Sequence, residues 1–478
     1  MVFSSSVFLM AFLPVTLLAY FLVPQRYLKV RNMVLLAASL FFYGWGEPKY
    51  ILVMLASILF NYFLALSMGC GRLHRGPLIL AVAGNLGILG FFKYTDFLIG
   101  TVSSVLGGGL SPLNIALPIG ISFYTFQTMS YVIDVYWGKV KAQKDFIAFA
   151  SYVTLFPQLI AGPIVRYSDV EAQLLDRRTS SDQVAEGIRR FILGFGKKVL
   201  LANQIYVVWK ELSVMEELSV VSAWLGAVAF TFQIYFDFSG YSDMAIGLGK
   251  ILGFDYLENF NYPYISRSIT EFWRRWHMSL GSWFREYVYV PLGGNRKGLK
   301  RQMFNIAVVW ALTGLWHGAS WNFVAWGVYF GIILIIEKLW LLRILNRLPK
   351  AAGHIYSLIL IVIGWVIFAI EDLSQVSEYI TMMLGASGIL ADDAFFYFLQ
   401  TRGWLFLLCA IGSTPLPAKA VALVFEKLGG QKTGTAGFKA RFEVVPGVLE
   451  TVVLLGIMMV SMAFLVSGSY NPFLYFRF

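Results

Sequence analysis

Two histidines are the residues in this chain most able to carry proton transfer, and His317 is the first candidate. It lies within 312–322, between two apolar stretches. A charged side chain at mid-bilayer costs roughly 2.5–3.5 kcal/mol, so an ionisable residue at that depth marks a functional site by default. Histidine avoids much of this penalty by staying neutral. A neutral imidazole accepts a proton from a hydroxyl or thiol, which makes His317 a candidate general base.

The neighbours of His317 leave two interpretations open. Gly314, Gly318 and Ala319 allow another helix or a substrate chain to approach closely. Trp316 precedes the histidine directly and favours an apolar pocket. The alternative is a packing histidine that is hydrogen-bonded to a backbone carbonyl.

His277 lies in a second window, 268–285, that is rich in Trp and Arg. Apolar residues recur there at helical spacing, which predicts one amphipathic helix with an aromatic stripe in the plane of the membrane interface. Ser268, followed three residues later by Glu271, predicts a capping box at its start. The alternative to a catalytic role is an anchoring helix with an incidental histidine.

A third polar patch, 233–243, follows an apolar run and contains Asp237, Tyr241 and Asp243. Carboxylates within a membrane segment indicate function by default. They equally fit a structural cluster that satisfies a broken helix. No P-loop, dinucleotide fingerprint, zinc spacing or nucleophile elbow occurs in the sequence, so we expect no metal and no permanently bound cofactor.

Composition decides the environment in which these residues act. Of the 478 residues, 58% are hydrophobic and 14% are charged, against roughly 25% charged residues in soluble domains. The sequence therefore predicts an all-α polytopic membrane protein, in contact with membrane lipid, and excludes disordered, collagen-like and disulfide-rich classes.

Apolar runs alternate with short basic loops along the whole chain. Counted by the length of about 20 residues that a crossing needs, they predict roughly 11 to 13 membrane segments, some of them short or re-entrant. We treat the chain as one membrane domain with N-terminal helices over 1–137, a catalytic core over 138–345 and C-terminal helices over 346–478.

The net charge of +11 comes from 38 Lys+Arg against 27 Asp+Glu. These cations lie mainly in the loops, where they set topology, and we expect no nucleic-acid partner. The charge rule places the basic loops, including a long one at 412–446, in the cytoplasm and both termini outside the cell membrane.

Several motifs together resemble the membrane-bound O-acyltransferase family, and within it the alginate O-acetylation branch. The motifs are 273–277 with its Trp-Arg-Arg-Trp-His run, 287–296, 314–319, 117–124, 159–163 and 235–245. The resemblance implies a helical fold around a central tunnel. It also implies that His317 is the catalytic base or acyl-bearing group and that His277 lies nearer the donor. We expect the tunnel to involve Trp276, Trp316, Arg275, Ser279, Asn322, Asp237, Tyr241 and Asp243.

The same resemblance implies a reaction. An acetyl group passes from a cytoplasmic thioester, acetyl-CoA or an acyl carrier protein, across the membrane, and an extracytoplasmic SGNH-type partner then places it on a polysaccharide. Peptidoglycan O-acetylation and teichoic-acid D-alanylation remain alternatives. A polysaccharide-linked transporter or a non-catalytic scaffold is the alternative from another class.

The C-terminal segment 471–478 is aromatic and ends Phe-Arg-Phe. It resembles the tail of the same branch, which implies that Tyr475 is a transient acyl carrier on the outer side. A free tyrosine titrates near pH 10, so it would need a base such as His317 to become a nucleophile. The alternative is an aromatic anchor at the membrane interface.

Overall fold

A computed structural model describes residues 1–68, 75–160, 162–428 and 436–467, with the backbone alone for 424–428 and 436–446. All regular structure within these residues is helical, which confirms the all-α prediction. Seven helices in this part of the chain are long and apolar enough to cross a membrane, and shorter apolar helices such as Phe8–Leu22 accompany them. The protein is a multi-pass membrane protein.

The N-terminal part packs around a cluster of aromatic rings. Phe3, Phe8, Phe42 and Phe156 are all fully buried there. Its helices, after a π-helical turn at Phe8–Phe12, are α1 (Leu13–Leu22), α2 (Leu28–Gly46), α3 (Ile51–Met68), α4 (Arg75–Val105), α5 (Ile121–Tyr136), α6 (Phe146–Thr154), α7 (Phe156–Leu159) and α8 (Tyr167–Leu175).

One glycine fixes how α5 begins. Gly120 has a φ of +76°, and a Cβ there would lie 2.6 Å from the carbonyl oxygen of Leu159. Both the backbone conformation and the space therefore require glycine at this position. The start of α5 is held against the end of α7 as a result.

The centre of the fold is a pair of long helices in close contact. They are α9 (Ser181–Gly196), which continues through a π-helical turn at Lys197–Ala202 into α10 (Asn203–Leu212), and α11 (Val220–Ile251). Gly194 meets Gly240 and Gly187 meets Gly247, and a Cβ at any of the four would come within 2.7 Å of the facing carbonyl oxygen. Small residues seven apart on each helix thus bring the two backbones together.

The structure of α11 excludes one interpretation of the 233–243 patch, that its polar side chains satisfy a broken helix. The helix runs without interruption from Val220 to Ile251, so the patch does not mark a broken helix. Its two carboxylates instead pair with cations, Arg190 on the neighbouring α9 and Lys197 and Lys198 on the π-helical turn that follows α9.

The segment that contains both candidate histidines is a series of short helices followed by a hairpin. The elements are α12 (Ile269–Trp273), α13 (Met278–Phe284), a π-helical turn at Arg285–Tyr289, α14 (Leu299–His317), α15 (Trp321–Ile336), a π-helical turn at Glu337–Leu341 and α16 (Leu342–Leu345). α14 and α15 cross at Gly314 and Gly327, where a Cβ on Gly314 would lie 2.5 Å from the carbonyl oxygen of Phe323. The small residues near His317 therefore admit α15.

The C-terminal part consists of α17 (Lys350–Ala369), α18 (Leu373–Met383), α19 (Asp393–Gly412), α20 (Leu416–Leu428) and α21 (Ala436–Val466). The prediction of a loop over 412–446 is wrong for most of its length, because α20 and the first part of α21 occupy it. The glycines and polar residues of this stretch suggested a loop, but its alanines and leucines at helical spacing form helices.

The two ends of the 19-residue helix α14 mark two opposite faces of the protein, one beside the loop that precedes Leu299 and the other beside 319–321. On the first, Lys29 pairs with Asp145 at 3.5 Å and Lys139 pairs with Glu286 at 3.5 Å. We call this side, with the loops around 26–31, 139–145 and 285–301, the basic face. On the other side, Asp96 and Asp372 line one cleft of about 450 Å³, and we call it the acidic face.

Candidate active site

The helix predicted over 268–285 is interrupted at His277, so the expectation of one continuous amphipathic helix is wrong. His277 has a φ of +44° and forms the boundary between α12 and α13. The backbone N–H of Met278 donates to the carbonyl of Asn259 at 3.0 Å, and Asn261 donates to the carbonyl of Arg275 at 2.9 Å. A distant loop therefore replaces the helical hydrogen bonds at the break.

The break changes where the aromatic stripe goes. Trp276, Leu280 and Trp283 are each at most 4% exposed. They pack into the interior and do not form an interfacial anchor. The cap at Ser268 is confirmed, since its side chain accepts from the N–H of Glu271 at 3.0 Å. The Glu271 carboxylate binds the N–H of Arg267 at 3.0 Å, one residue earlier than a capping box requires.

Asn259 holds the His277 imidazole from the loop that follows α11. Its Oδ1 lies 3.1 Å from His277 Nδ1 and accepts from both the N–H and the hydroxyl of Ser279. Its Nδ2 donates to the Ser242 hydroxyl at 2.9 Å, which fixes the orientation of the amide. Since Oδ1 can only accept, we assign the proton of His277 to Nδ1, and Nε2 is the acceptor nitrogen.

We expect Asn259→Ala to lower kcat about 10- to 100-fold, because a ring displaced by 1 Å no longer meets its partner correctly. The measurement is steady-state acyl transfer by the purified variant. Asn261→Ala is the matched control, since its side chain is exposed. A kcat of Asn259→Ala equal to that of the control would contradict a role for the His277 orientation.

His317 is the last residue of α14 and is 7% exposed. Its ring stands edge-on against the rings of Trp316, Trp326 and Phe368, with centroids 5.0, 4.9 and 5.3 Å away. Among the residues that the structure describes, none forms a hydrogen bond with its ring nitrogens. This geometry does not support the alternative in which His317 is a packing residue that is hydrogen-bonded to a backbone carbonyl.

Both histidines open onto one cavity of about 1010 Å³ that faces the basic face. The indole of Trp316 contacts both imidazoles, with its centroid 5.9 Å from that of His277. Five exposed cations line the same cavity, and none of them forms an ion pair within the described residues: Arg274, Arg285, Arg296, Lys297 and Lys338. No carboxylate lines it in that part of the chain, so the cavity favours a ligand with several negative charges.

His317 also lines a second, smaller cavity of about 60 Å³. Trp316, Ser122 and the buried lysine Lys93 line this cavity too, together with residues 117–121. The residues after His317, Ala319 and Ser320, line the cleft on the acidic face. Of the described residues, His317 is the one that lines both the large and the small cavity.

The predicted tunnel residues divide into two groups. Trp276, Trp316 and Ser279 surround the histidines, and Trp276 also packs on Trp365 with centroids 4.7 Å apart. Asn322 forms no hydrogen bond with either histidine in the part of the chain that the structure describes. Its Nδ2 donates to the carbonyls of Ile367 and Phe368 near the end of α17, and the Phe368 ring packs against the His317 ring.

The remaining candidates lie away from this cavity. Arg275 binds Glu271 at 3.0 Å and the carbonyl of Asn261 at 3.1 Å, while Arg274 faces the cavity. Asp237 pairs with Lys198 at 2.6 Å, and Asp243 pairs with Lys197 at 2.6 Å and Arg190 at 2.9 Å. Tyr241 stacks on Phe3 with centroids 4.4 Å apart. Tyr475 lies outside the described residues.

Three residues that the sequence analysis did not single out support the site. They are Asn259, Lys93 and Glu337. Glu337 is fully buried, and its carboxylate accepts from the N–H groups of Ile269 and Thr270 at 2.7 and 2.8 Å, which caps α12. Lys93 and Glu337 are detectable from the sequence, because each is an ionisable residue within an apolar run. Asn259 carried no comparable signal.

Comparison with known proteins agrees with this geometry. The family model of the membrane-bound O-acyltransferases matches residues 139–374, which include both histidines. A probable alginate O-acetylase of Azotobacter vinelandii is 38% identical over 100% of both chains, and one of Pseudomonas putida is 45% identical over 78% of each. A peptidoglycan O-acetyltransferase of Helicobacter pylori is 34% identical over 81% of each chain.

Proposed function

The chain belongs to the membrane-bound O-acyltransferase family, and on that premise we propose that it passes acetyl groups through the membrane for O-acetylation of an extracytoplasmic polysaccharide. It is an O-acyltransferase of the membrane. Relatives named as alginate O-acetylases, one of them matched over the full length of both chains, support alginate as the polymer. Peptidoglycan is the second candidate, supported by the relative from Helicobacter pylori.

The observation that carries the proposal is the cavity shared by His277 and His317 and its five cations. By the positive-inside rule we propose that the basic face lies in the cytoplasm and that the N-terminus and the C-terminal end of α21 lie on the other side. Acetyl-CoA carries a pyrophosphate and a further phosphate, and charge-assisted hydrogen bonds from arginine suit such groups. The phosphopantetheine of an acyl carrier protein has one phosphate, so five cations favour the nucleotide donor.

The chemistry at His317 is a transfer between a thioester and a hydroxyl. The neutral ring takes the hydroxyl proton as that oxygen attacks the thioester carbonyl carbon, and a C–O bond forms. The C–S bond then breaks, and the proton passes to the departing thiolate. The acceptor hydroxyl belongs to the polymer, to a carrier such as Tyr475, or to an SGNH-type partner outside the membrane. His277, fixed by Asn259, lies on the donor side of this centre.

The test uses purified full-length protein in lipid nanodiscs and acetyl-CoA labelled in its acetyl group. We expect release of free CoA thiol that depends on His317, and peptide mass spectrometry then locates any label. Label on Tyr475 that disappears in Tyr475→Phe would support the relay, whereas turnover without protein label would support direct transfer. Protein that releases thiol from neither acetyl-CoA nor an acetyl-loaded carrier protein would contradict the proposal.

The cations make a separate prediction about the donor. Arg296→Gln combined with Lys297→Gln is expected to raise KM for acetyl-CoA about 10-fold at low salt, with kcat unchanged, because exposed charges bind the donor without touching the reacting atoms. Steady-state kinetics at two ionic strengths measure this.

The matched control is Lys300→Gln with Lys350→Gln. This pair removes the same charge from exposed positions outside the cavity. Equal KM values for the two double variants would show that general charge, and not this cavity, determines donor affinity.

A further inference from the structure

Lys93 is a buried cation in the middle of a membrane-spanning helix, outside the region that the family model matches. It lies on α4 and is 8% exposed. It forms no ion pair within the described residues, although a lone ammonium in an apolar interior is costly. The oxygen atoms around its Nζ must therefore stabilise the buried charge.

Those oxygens belong to the end of α14. Lys93 Nζ makes a short contact with the carbonyl oxygen of Trp316 and lies 3.4 Å from that of His317. The third acceptor is the Ser122 hydroxyl, also at 3.4 Å. An ammonium has three donors, so these acceptors match it in number. The last carbonyls of a helix lack partners within it and carry the negative end of its dipole, which favours a cation there.

The end of α14 also sets the position of the catalytic ring. Gly318, the residue after His317, is extended with a φ of −170°, so the helical path stops at His317 itself. The hydroxyl of Tyr94 donates to the carbonyl oxygen of Leu315 at 2.6 Å, two residues before His317. Two neighbouring residues of α4 therefore hold the final turn, but only Lys93 reaches the carbonyl of His317.

We infer that Lys93 is a positioning residue for His317, which it fixes from the side of the second cavity through the last two carbonyls of α14. The inference rests on the proposed function in that His317 is taken as the base. Lys93 itself donates to protein oxygens and needs no contact with substrate. Its removal leaves the ring present but without a fixed direction.

The kinetic test compares Lys93→Met with Tyr94→Phe. Each removes hydrogen bonding to the same helix end, so they match in position. We expect Lys93→Met to lower kcat about 100-fold with KM for acetyl-CoA nearly unchanged, because small misplacements of a catalytic group have effects of that size. Tyr94→Phe is expected to stay within a few-fold of wild type.

Lys93→Arg is the rescue variant and also covers the case in which Lys93→Met does not fold. The adjoining cavity of about 60 Å³ leaves room for a guanidinium, which donates to the same carbonyls. We expect it to recover most of the lost kcat. If Lys93→Met and Tyr94→Phe lose activity in the same proportion as thermal stability, Lys93 is only structural and the inference is wrong.

A second readout does not depend on the donor or on turnover. Diethyl pyrocarbonate modifies neutral imidazole, and peptide mass spectrometry gives the rate at His317. We expect this rate to change several-fold in Lys93→Met but to stay near the rate of Tyr94→Phe in Lys93→Arg, because only the loss of the cation releases the last turn and alters access to the ring. An altered rate in protein without acetyl-CoA turnover would support the positioning role while the proposed function fails. An unaltered rate, with normal kcat, would overturn the inference.

Discussion

Replacement of His317 by glutamine is expected to lower acetyl transfer by about 1000-fold while the protein still inserts and folds. General base catalysis contributes typically 10²- to 10⁴-fold, and an amide cannot accept the proton. Glutamine keeps a polar side chain of comparable size, so the contacts with Trp316, Trp326 and Phe368 are largely retained. Thiol release and transfer of labelled acetyl are the measurements, with the thermal unfolding midpoint as the check on folding.

His354→Gln is the matched control for this prediction. His354 is partly buried, its Nδ1 lies 3.2 Å from the carbonyl oxygen of Ser266, and it is absent from both cavities that reach His317. We expect its loss to leave transfer within a few-fold of wild type. If His317→Gln transfers acetyl groups as fast as this control, His317 takes no part in the reaction and has only a packing role.

The second large effect concerns the buried pair Lys198–Asp237. The two side chains are 1% and 2% exposed and 2.6 Å apart. Removal of one partner from a buried pair strands the other charge, at about 3–5 kcal/mol. We therefore expect Lys198→Met or Asp237→Leu alone to unfold at a markedly lower temperature or to fail to accumulate in the membrane.

The double variant Lys198→Met/Asp237→Leu separates structure from function at this position. Replacement of a complete buried pair by apolar residues of similar volume is often neutral or stabilising. If Asp237 only packs α11 against α9, the double variant recovers both stability and acetyl transfer. A double variant that is stable but inactive would show that the carboxylate acts in the reaction, despite its distance from the cavity.

A transporter and a non-catalytic scaffold are the alternatives from other functional classes. A transporter predicts paired charges within the membrane segments, and Lys198–Asp237 is such a pair. The family membership and the cavity that both histidines line nevertheless identify an acyltransferase. For a scaffold, His317→Gln would leave function intact, so the first prediction also tests that alternative. The tail relay through Tyr475, and the division into 1–137, 138–345 and 346–478, stay predictions.

Composition and local sequence predict the class of fold and single out the two histidines as candidates. A chain with 58% hydrophobic and 14% charged residues cannot form a water-exposed surface of its size, so membrane helices follow from composition alone. His317 could be identified because an ionisable residue between apolar runs is conspicuous in one dimension. The run around His277 was identifiable from its local concentration of Trp, Arg and His.

How those histidines are held, and which polar residues surround them, follows from tertiary packing and could not be read from the sequence. Asn259 reaches His277 across 18 positions, Glu337 caps α12 across 68, and Lys93 reaches His317 across 224. Periodicity reports which face of a helix is apolar, but it does not report which distant group satisfies a backbone N–H or carbonyl. For the same reason the break at His277 was missed, and Asp237 and Asp243 were grouped with the site. The partners that compete with a regular helix, or that neutralise a buried charge, are brought together only by the packing of remote segments.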